Sequence, residues 1–191
     1  MNDGPAAKQV PEDEGRRRLL SWLWRLPVLV AVGGGGFAAW RFYSVNYMRQ
    51  PANPDPEFDA HEPAVVASLA ELSEPWASTE FFFANLPVIA LHVPEPLTGG
   101  LTTAAGTNLI AYSRICTHQG CPIQLSRDTE AVAFAYNYRS DSPSLVCPCH
   151  LSVFAPDRHG EAVSGPAMRA LPRIRLELDG DSVIATGVER I

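Results

Sequence analysis

Two short segments, CTHQGC from Cys116 to Cys121 and CPCHLS from Cys147 to Ser152, contain all four cysteines of the chain, and each carries a histidine beside its cysteine pair. Cys116 and His118 lie two residues apart, and Cys147 and His150 lie three apart, so each segment can offer one thiolate and one imidazole from a tight turn. Two sulfur and two nitrogen ligands suit tetrahedral zinc. They suit equally a [2Fe-2S] cluster in which two histidines replace two cysteines on one iron, and ligand identity alone leaves both open. Four cysteines and two histidines exceed the needs of one four-coordinate site, so two cysteines have another role. Cys121 and Cys149 occupy matched places in the two segments. They could be joined if the loops face each other, which requires an oxidising compartment. His61, His92 and His159 lack ligand-spaced partners and read as ordinary surface or core residues.

The elements that must hold these segments read as short strands and turns. Glu80 to Val93 (EFFFANLPVIALHV) is rich in aromatic and β-branched residues and is interrupted by Pro87, which predicts two strand pieces. Thr107 to Ile115 leads directly into the first segment. Ala131 to Arg139 (AVAFAYNYR) alternates as a strand would, and Ser140 to Ser144 then turns the chain so that Leu145 and Val146 enter the second segment. At the end, Ile174, Leu176 and Leu178 alternate with Arg173, Arg175 and Glu177, and Asp179-Gly180 turns into Ser182 to Val188, a hairpin pattern. Helical periodicity is confined to Val65 to Leu72 and Glu74 to Ser78. The expectation is an all-β domain over residues 64–191, with no internal repeat.

Upstream the composition changes. The 191 residues, 46% hydrophobic, allow one domain of ordinary size plus an anchor, and the formal charge of −6 argues against nucleic acid as a partner. Residues 1–18 are polar, with Glu12, Asp13 and Glu14 followed by Arg16, Arg17 and Arg18. Leu19 to Trp40 carries one charge, Arg25, and is long enough to cross a hydrocarbon core of about 30 Å. Trp22 and Trp24 at one end, with Trp40 and Tyr43 at the other, are placed as interfacial aromatics, which predicts a transmembrane anchor over 19–43. Lys8 and Arg16 to Arg18 precede the span and only Arg41 and Arg49 closely follow it, so the N-terminus is expected in the cytoplasm and the remainder outside. The run RRRLL is similar to a twin-arginine export signal. No small-x-small cleavage site follows Trp40, so retention as an anchor is expected over removal. Gly33 to Gly36 permit close helix contact in a bilayer. Residues 44–63, with four prolines between Gln50 and Pro63, read as an extended neck.

The two cysteine segments resemble the boxes of the Rieske iron-sulfur protein of cytochrome bc complexes, whose pattern is CTHxGC followed by CPCHGS. Carried over, the resemblance implies one [2Fe-2S] cluster per chain, with Cys116 and Cys147 on a buried ferric iron and His118 and His150 on the outer, reducible iron. It implies a disulfide between Cys121 and Cys149, and a proline-rich loop beginning at Gly165, Pro166 and Ala167 that covers the third side. It also implies small stacked antiparallel sheets with both loops at one tip, and a neck that lets the domain swing between redox partners. A structural zinc site would leave the matched extra cysteines and the proline loop unexplained.

The function so implied is the iron-sulfur subunit of a quinol-cytochrome c oxidoreductase. It would take an electron and a proton from quinol at His150, with His118 able to share the proton chemistry, and pass the electron to a c-type cytochrome. Its partners would be cytochrome b, a c-type cytochrome and the membrane, in a dimeric multisubunit complex of a bacterial plasma membrane with the cluster domain on the outer face. The alternative is the Rieske subunit of another oxidoreductase such as arsenite oxidase, and a zinc-stabilised interaction module is the third reading. Two residues depart from the pattern. Leu151 stands where the family usually has glycine, a strained choice if the position needs positive φ. Phe154 stands where many members have a tyrosine whose hydroxyl bonds a ligand sulfur, while Ser152 keeps one hydroxyl donor. One donor fewer predicts a lower reduction potential, suited to a lower-potential quinol such as menaquinol.

Overall fold

The apolar run that begins at Leu19 forms one uninterrupted helix, α1 (Asp13–Tyr47), which contains Pro27. Residues 17–44 of it, which contain an 18-residue window of mean hydropathy 1.3 that is wholly unburied, are long and apolar enough to cross a membrane. Their rise of about 42 Å matches a bilayer with its interfacial layers. The computed structural model describes residues 13–190, so Lys8 and Glu12 of the polar leader lie outside the described residues. The chain divides into two units, residues 1–44 and 45–191.

The second unit is built on strands. In chain order they are β1 (Phe58–Ser68), β2 (Ser78–Phe83), β3 (Leu86–Val93), β4 (Leu101–Thr102), β5 (Asn108–Ser113), β6 (Gln124–Ser126), β7 (Ser144–Cys147), β8 (Ser152–Ala155), β9 (Glu161–Ser164), β10 (Arg173–Asp179) and β11 (Ser182–Glu189). A 3-10 turn (Leu69–Leu72) follows β1, and helix α2 (Thr129–Tyr136) lies between β6 and β7. One sheet runs β1-β11-β10-β5-β3-β2 with β4 added on β5, and a four-stranded sheet runs β6-β7-β8-β9. Every pairing is antiparallel.

The period-two pattern of β3 and β5 explains how two cores share one sheet. Ile89, Leu91 and Val93 of β3, with Ile110 and Tyr112 of β5, face a core completed by Leu145, Phe154 and Ala162 of the second sheet. Val88, Ala90, Leu109 and Ala111 point to the other face, against Ile174, Leu176, Val183, Ala185 and Leu72. Cys116 and Cys147 belong to the first core, so the two sheets together bury the thiols.

Three sequence expectations change. Ala131–Arg139 is not a strand: the chain is helical over Thr129–Tyr136, started by the Asp128 carboxylate accepting from the Ala131 N–H at 2.9 Å and stopped by Asn137 in the left-handed region. The alternation of alanine with larger residues imitated a strand, while the capping residue at one end and asparagine at the other carried the helix signal. Val65–Ser68 is the end of β1 and not helical, and only Leu69–Leu72 turns, because pairing with β11 outweighs the local periodicity. The hairpin β2–β3 turns at Ala84 and Asn85, both with positive φ, and Pro87 sits inside β3 opposite Phe82.

The stretch read as a neck over 44–63 is also shorter than its composition implies. Strand β1 starts at Phe58, opposite Glu189, although most of its first residues are exposed and give no apolar alternation. Before it, the Arg49 guanidinium donates to the carbonyls of Ala162 (2.7 Å) and Gly165 (2.9 Å), the Gln50 N–H donates to Met168 O at 2.8 Å, and Arg173 donates to Asn53 O at 2.6 Å. Prolines 51, 54 and 56 hold this stretch extended without donors of their own.

One histidine gives the second unit a pH dependence. His159 sits at φ +53 beside Gly160, and burial, then the charge of Arg173, push its pKa below the usual histidine value. Above about pH 6.5 the ring is neutral in both folded and unfolded chains. Below that value the unfolded chain binds the proton first, so stability falls as pH drops, until the folded ring also protonates. His159→Asn keeps a residue that tolerates the left-handed region. Chemical denaturation between pH 7.5 and 5.5 is expected to show a smaller acid loss for this variant than for the native chain.

Candidate metal centre

The first loop leaves β5 through Arg114, whose N–H donates to Pro87 O at 2.7 Å and whose carbonyl accepts from Ile123 N at 2.9 Å. Ile115 and Pro122 face each other in an isolated bridge, and Cys116 N–H donates to Cys121 O at 2.8 Å, closing the turn that carries His118. The second loop is the tip of the β7–β8 hairpin, fixed by the pairing of Cys147 with Ser152. Cys121 and Cys149 form a disulfide with Cα atoms 6.5 Å apart, which joins the two loops.

Beneath that bridge Cys116 and Cys147 are buried and unbridged. The sulfur of Cys147 lies within 4.8 Å of both disulfide sulfurs. Burial pushes the Cys116 thiol up from its ordinary value, and the neighbouring Cys147 adds to the rise. A thiol raised in this way resists ionising unless a cation sits beside it, and a bound metal ion would deprotonate a coordinating thiol outright. The rings of His118 and His150 stand edge to face with centroids 4.9 Å apart. His118 Nδ1 is buried with no hydrogen-bond partner, which costs about 1–3 kcal/mol unless a ligand meets it. Two buried thiols and an unpartnered, inward imidazole nitrogen are the donors that an iron-sulfur cluster takes, so these residues fit one.

The third side is closed by residues 165–172. Gly165 has φ +78, and a Cβ there would lie 2.4 Å from Leu151 O and 2.5 Å from Ser152 Cα, so only glycine lets this loop pass against the second. Ser152 is fully buried; its Oγ accepts from Ala167 N–H at 3.2 Å, which leaves its proton for another acceptor. Thr117 Oγ1 donates to Arg169 O at 2.7 Å and ties the first loop to the third. Thr117 and Arg49 were not singled out as site residues by sequence reasoning. Thr117 was legible in principle, being next to His118, whereas Arg49 lies more than a hundred residues from the carbonyls that it holds.

Both departures from the family pattern have structural consequences. Leu151 has φ +58, in the left-handed region, which costs a side-chain-bearing residue about 1–2 kcal/mol. Phe154 is completely buried, opposite Leu145, in the same cluster as Cys116 and Cys147, and has no hydroxyl to offer them.

The Rieske [2Fe-2S] domain family matches residues 98–175. The Rieske iron-sulfur subunit of the cytochrome bc1 complex from Corynebacterium glutamicum is 40% identical over 78 residues, which cover 40% of this chain and 16% of that protein. The iodate reductase subunit IdrB of Denitromonas iodatirespirans is 36% identical over 83 residues, covering 43% of this chain and 39% of that one. The chain therefore spans well under half the length of these curated relatives. Among solved structures, the soluble domain of Rieske protein II from Sulfolobus acidocaldarius aligns with TM-score 0.50 and 24% identity, over 71% of this chain and 82% of that one, a likeness of fold.

Proposed function

We propose, on the premise that residues 98–175 are a Rieske [2Fe-2S] domain, that this chain is the membrane-anchored iron-sulfur subunit of a quinol-cytochrome c oxidoreductase. The observation that carries the reading is the union in one chain of a membrane-length helix with a disulfide-braced pair of loops presenting Cys116, His118, Cys147 and His150. Similarity to cytochrome bc1 Rieske subunits supports it. In this reading the polar leader is cytoplasmic and the cluster domain lies outside, where the disulfide survives.

When bound, the cluster supplies a one-electron acceptor at the tip. Cys116 and Cys147 would hold it from within the core, and His118 and His150 from the side of the tip. With Nδ1 of His118 turned inward, its Nε2 is the nitrogen left to carry a proton. The exposed ring of His150 would meet the hydroxyl of a hydroquinone and accept its proton, with a c-type cytochrome as the chain's onward electron partner. Ser152, buried with its hydroxyl proton not used by the bond from Ala167, would be free to donate to a cluster or ligand sulfur and so favour the reduced state.

Replacing His150 with alanine in the complex is expected to abolish both the Rieske EPR signal and quinol oxidation. An intact signal with full activity overturns the reading. The similarity to an iodate reductase subunit favours a second reading, service to a molybdenum oxidoreductase. Mild-detergent purification separates the two: cytochrome b among the partners supports the first, a molybdopterin subunit the second.

Phe154 tunes the same centre. Phe154→Tyr is expected to add one hydrogen bond toward a ligand sulfur, about 1–1.5 kcal/mol in favour of the reduced form. For one electron that raises the reduction potential by roughly 40–65 mV. An EPR-monitored redox titration measures it, and an unchanged potential removes Phe154 as the cause of a low value.

A further inference from the structure

Leu151 follows His150 directly, adopts φ +58 and is 48% exposed. The pairing of Cys147 with Ser152 and the approach of Gly165 to the Leu151 carbonyl fix this backbone whatever residue occupies the position. Glycine would adopt it without strain. A leucine here gains little packing within its own chain to offset the strain, because nearly half of its surface faces outward. Strain retained on an exposed residue beside a reactive group points to a contact made outside the chain.

A hydroquinone is a flat apolar ring with hydroxyls at opposite ends. When one hydroxyl addresses His150, the ring beside it needs apolar cover, and the adjacent residue in sequence, one Cα step away, is Leu151. Gln119, exposed on the facing loop, offers a polar group instead. A fused second ring adds apolar area that an aliphatic neighbour can cover, so the contact discriminates by ring size.

We propose that Leu151 is a specificity-determining residue that packs on the ring of the hydroquinone at His150 and favours a fused two-ring naphthohydroquinone over a monocyclic benzohydroquinone. The inference rests on the quinol-oxidising reading and adds the substrate class to it.

The test compares the full chain in its complex with Leu151→Gly and Leu151→Asn, both of which accept the left-handed region, the second with a polar side chain. Relief of strain is expected to raise the thermal midpoint of the cluster domain by about 2–4 °C in both variants. The Rieske EPR signal is expected to persist. At the same time kcat/KM for a naphthohydroquinone falls about tenfold, while that for a benzohydroquinone changes less than about threefold. Equal changes for the two donors, or none, overturn the role of Leu151, and a lowered midpoint overturns the strain that motivates it. A native cluster that neither hydroquinone reduces overturns the quinol reading itself.

Discussion

Replacing Arg173 with alanine is expected to remove about 3–5 kcal/mol of stability, read by chemical denaturation of the cluster domain. Arg173 is completely buried, and its guanidinium meets Glu189 through two hydrogen bonds, Nε to Oε2 at 2.9 Å and Nη2 to Oε1 at 2.6 Å. The same side chain donates to Thr98 O at 2.8 Å and to Asn53 O at 2.6 Å, and its own backbone N–H donates to Glu189 Oε2. One residue thus joins β10 to β11, to the loop before β4 and to the proline-rich stretch ahead of β1. Removing the cation strands a buried carboxylate and two carbonyls, and that desolvation, not the loss of an attraction, accounts for the size of the effect. The double variant Arg173→Met with Glu189→Leu removes both charges and is expected to regain part of the loss. Recovery stays incomplete because Thr98 and Asn53 still lack their donor. A loss under about 1 kcal/mol in the single variant would show that the pair is solvated or relaxed away.

This arginine also shows how much of the molecule was legible in its sequence. The alternation of Ile174, Leu176 and Leu178 with an Asp-Gly turn gave the β10–β11 hairpin directly, because strand period and turn chemistry are local. Nothing local marked Arg173 as buried, since it reads as one of the outward residues of that pattern while its partners lie on other elements. The candidate metal centre stands out in the sequence for the opposite reason: the donors proposed for it are rare residue types at short spacings, and the two loops need only meet. Helix α2 was lost to an alternation of alanines, whose neutrality fits either period, while β1 owes its existence to β11 more than to its own residues. The fastening of Arg49 to Ala162 and Gly165 had no sequence signal, because a guanidinium bonded to backbone carbonyls leaves no complementary residue to find. Leu151 was visible as a departure, but its left-handed backbone required coordinates to establish.

Replacing Cys121 and Cys149 together with serine is expected to cost about 3–4 kcal/mol of stability and to shorten the lifetime of the bound cluster. The bridge spans a sequence separation of 28, and closing a loop of that length in the unfolded chain accounts for the stability change in the chain-entropy account. The shorter cluster lifetime has a different origin. Cys121 lies in the first loop and Cys149 in the second, so without the bridge the loops are held at their base by the pairing of β6 with β7 and, through the third loop, by Thr117 to Arg169 and Ala167 to Ser152, with no covalent tie at the tip. Each loop carries one thiol and one imidazole, and relative motion of the loops separates the donor pairs. The double variant is the informative one, because Cys147 lies within 4.8 Å of both bridged sulfurs and a lone remaining thiol could pair with it instead. Denaturation and the decay of the cluster's visible absorbance, each with and without reductant, separate the contributions. Reductant should move the native chain toward the variant and leave the variant unchanged. If the variant equals the native chain in both stability and cluster lifetime, the bridge braces nothing, and the buried pair Cys116 and Cys147 with the third loop must suffice to hold the centre.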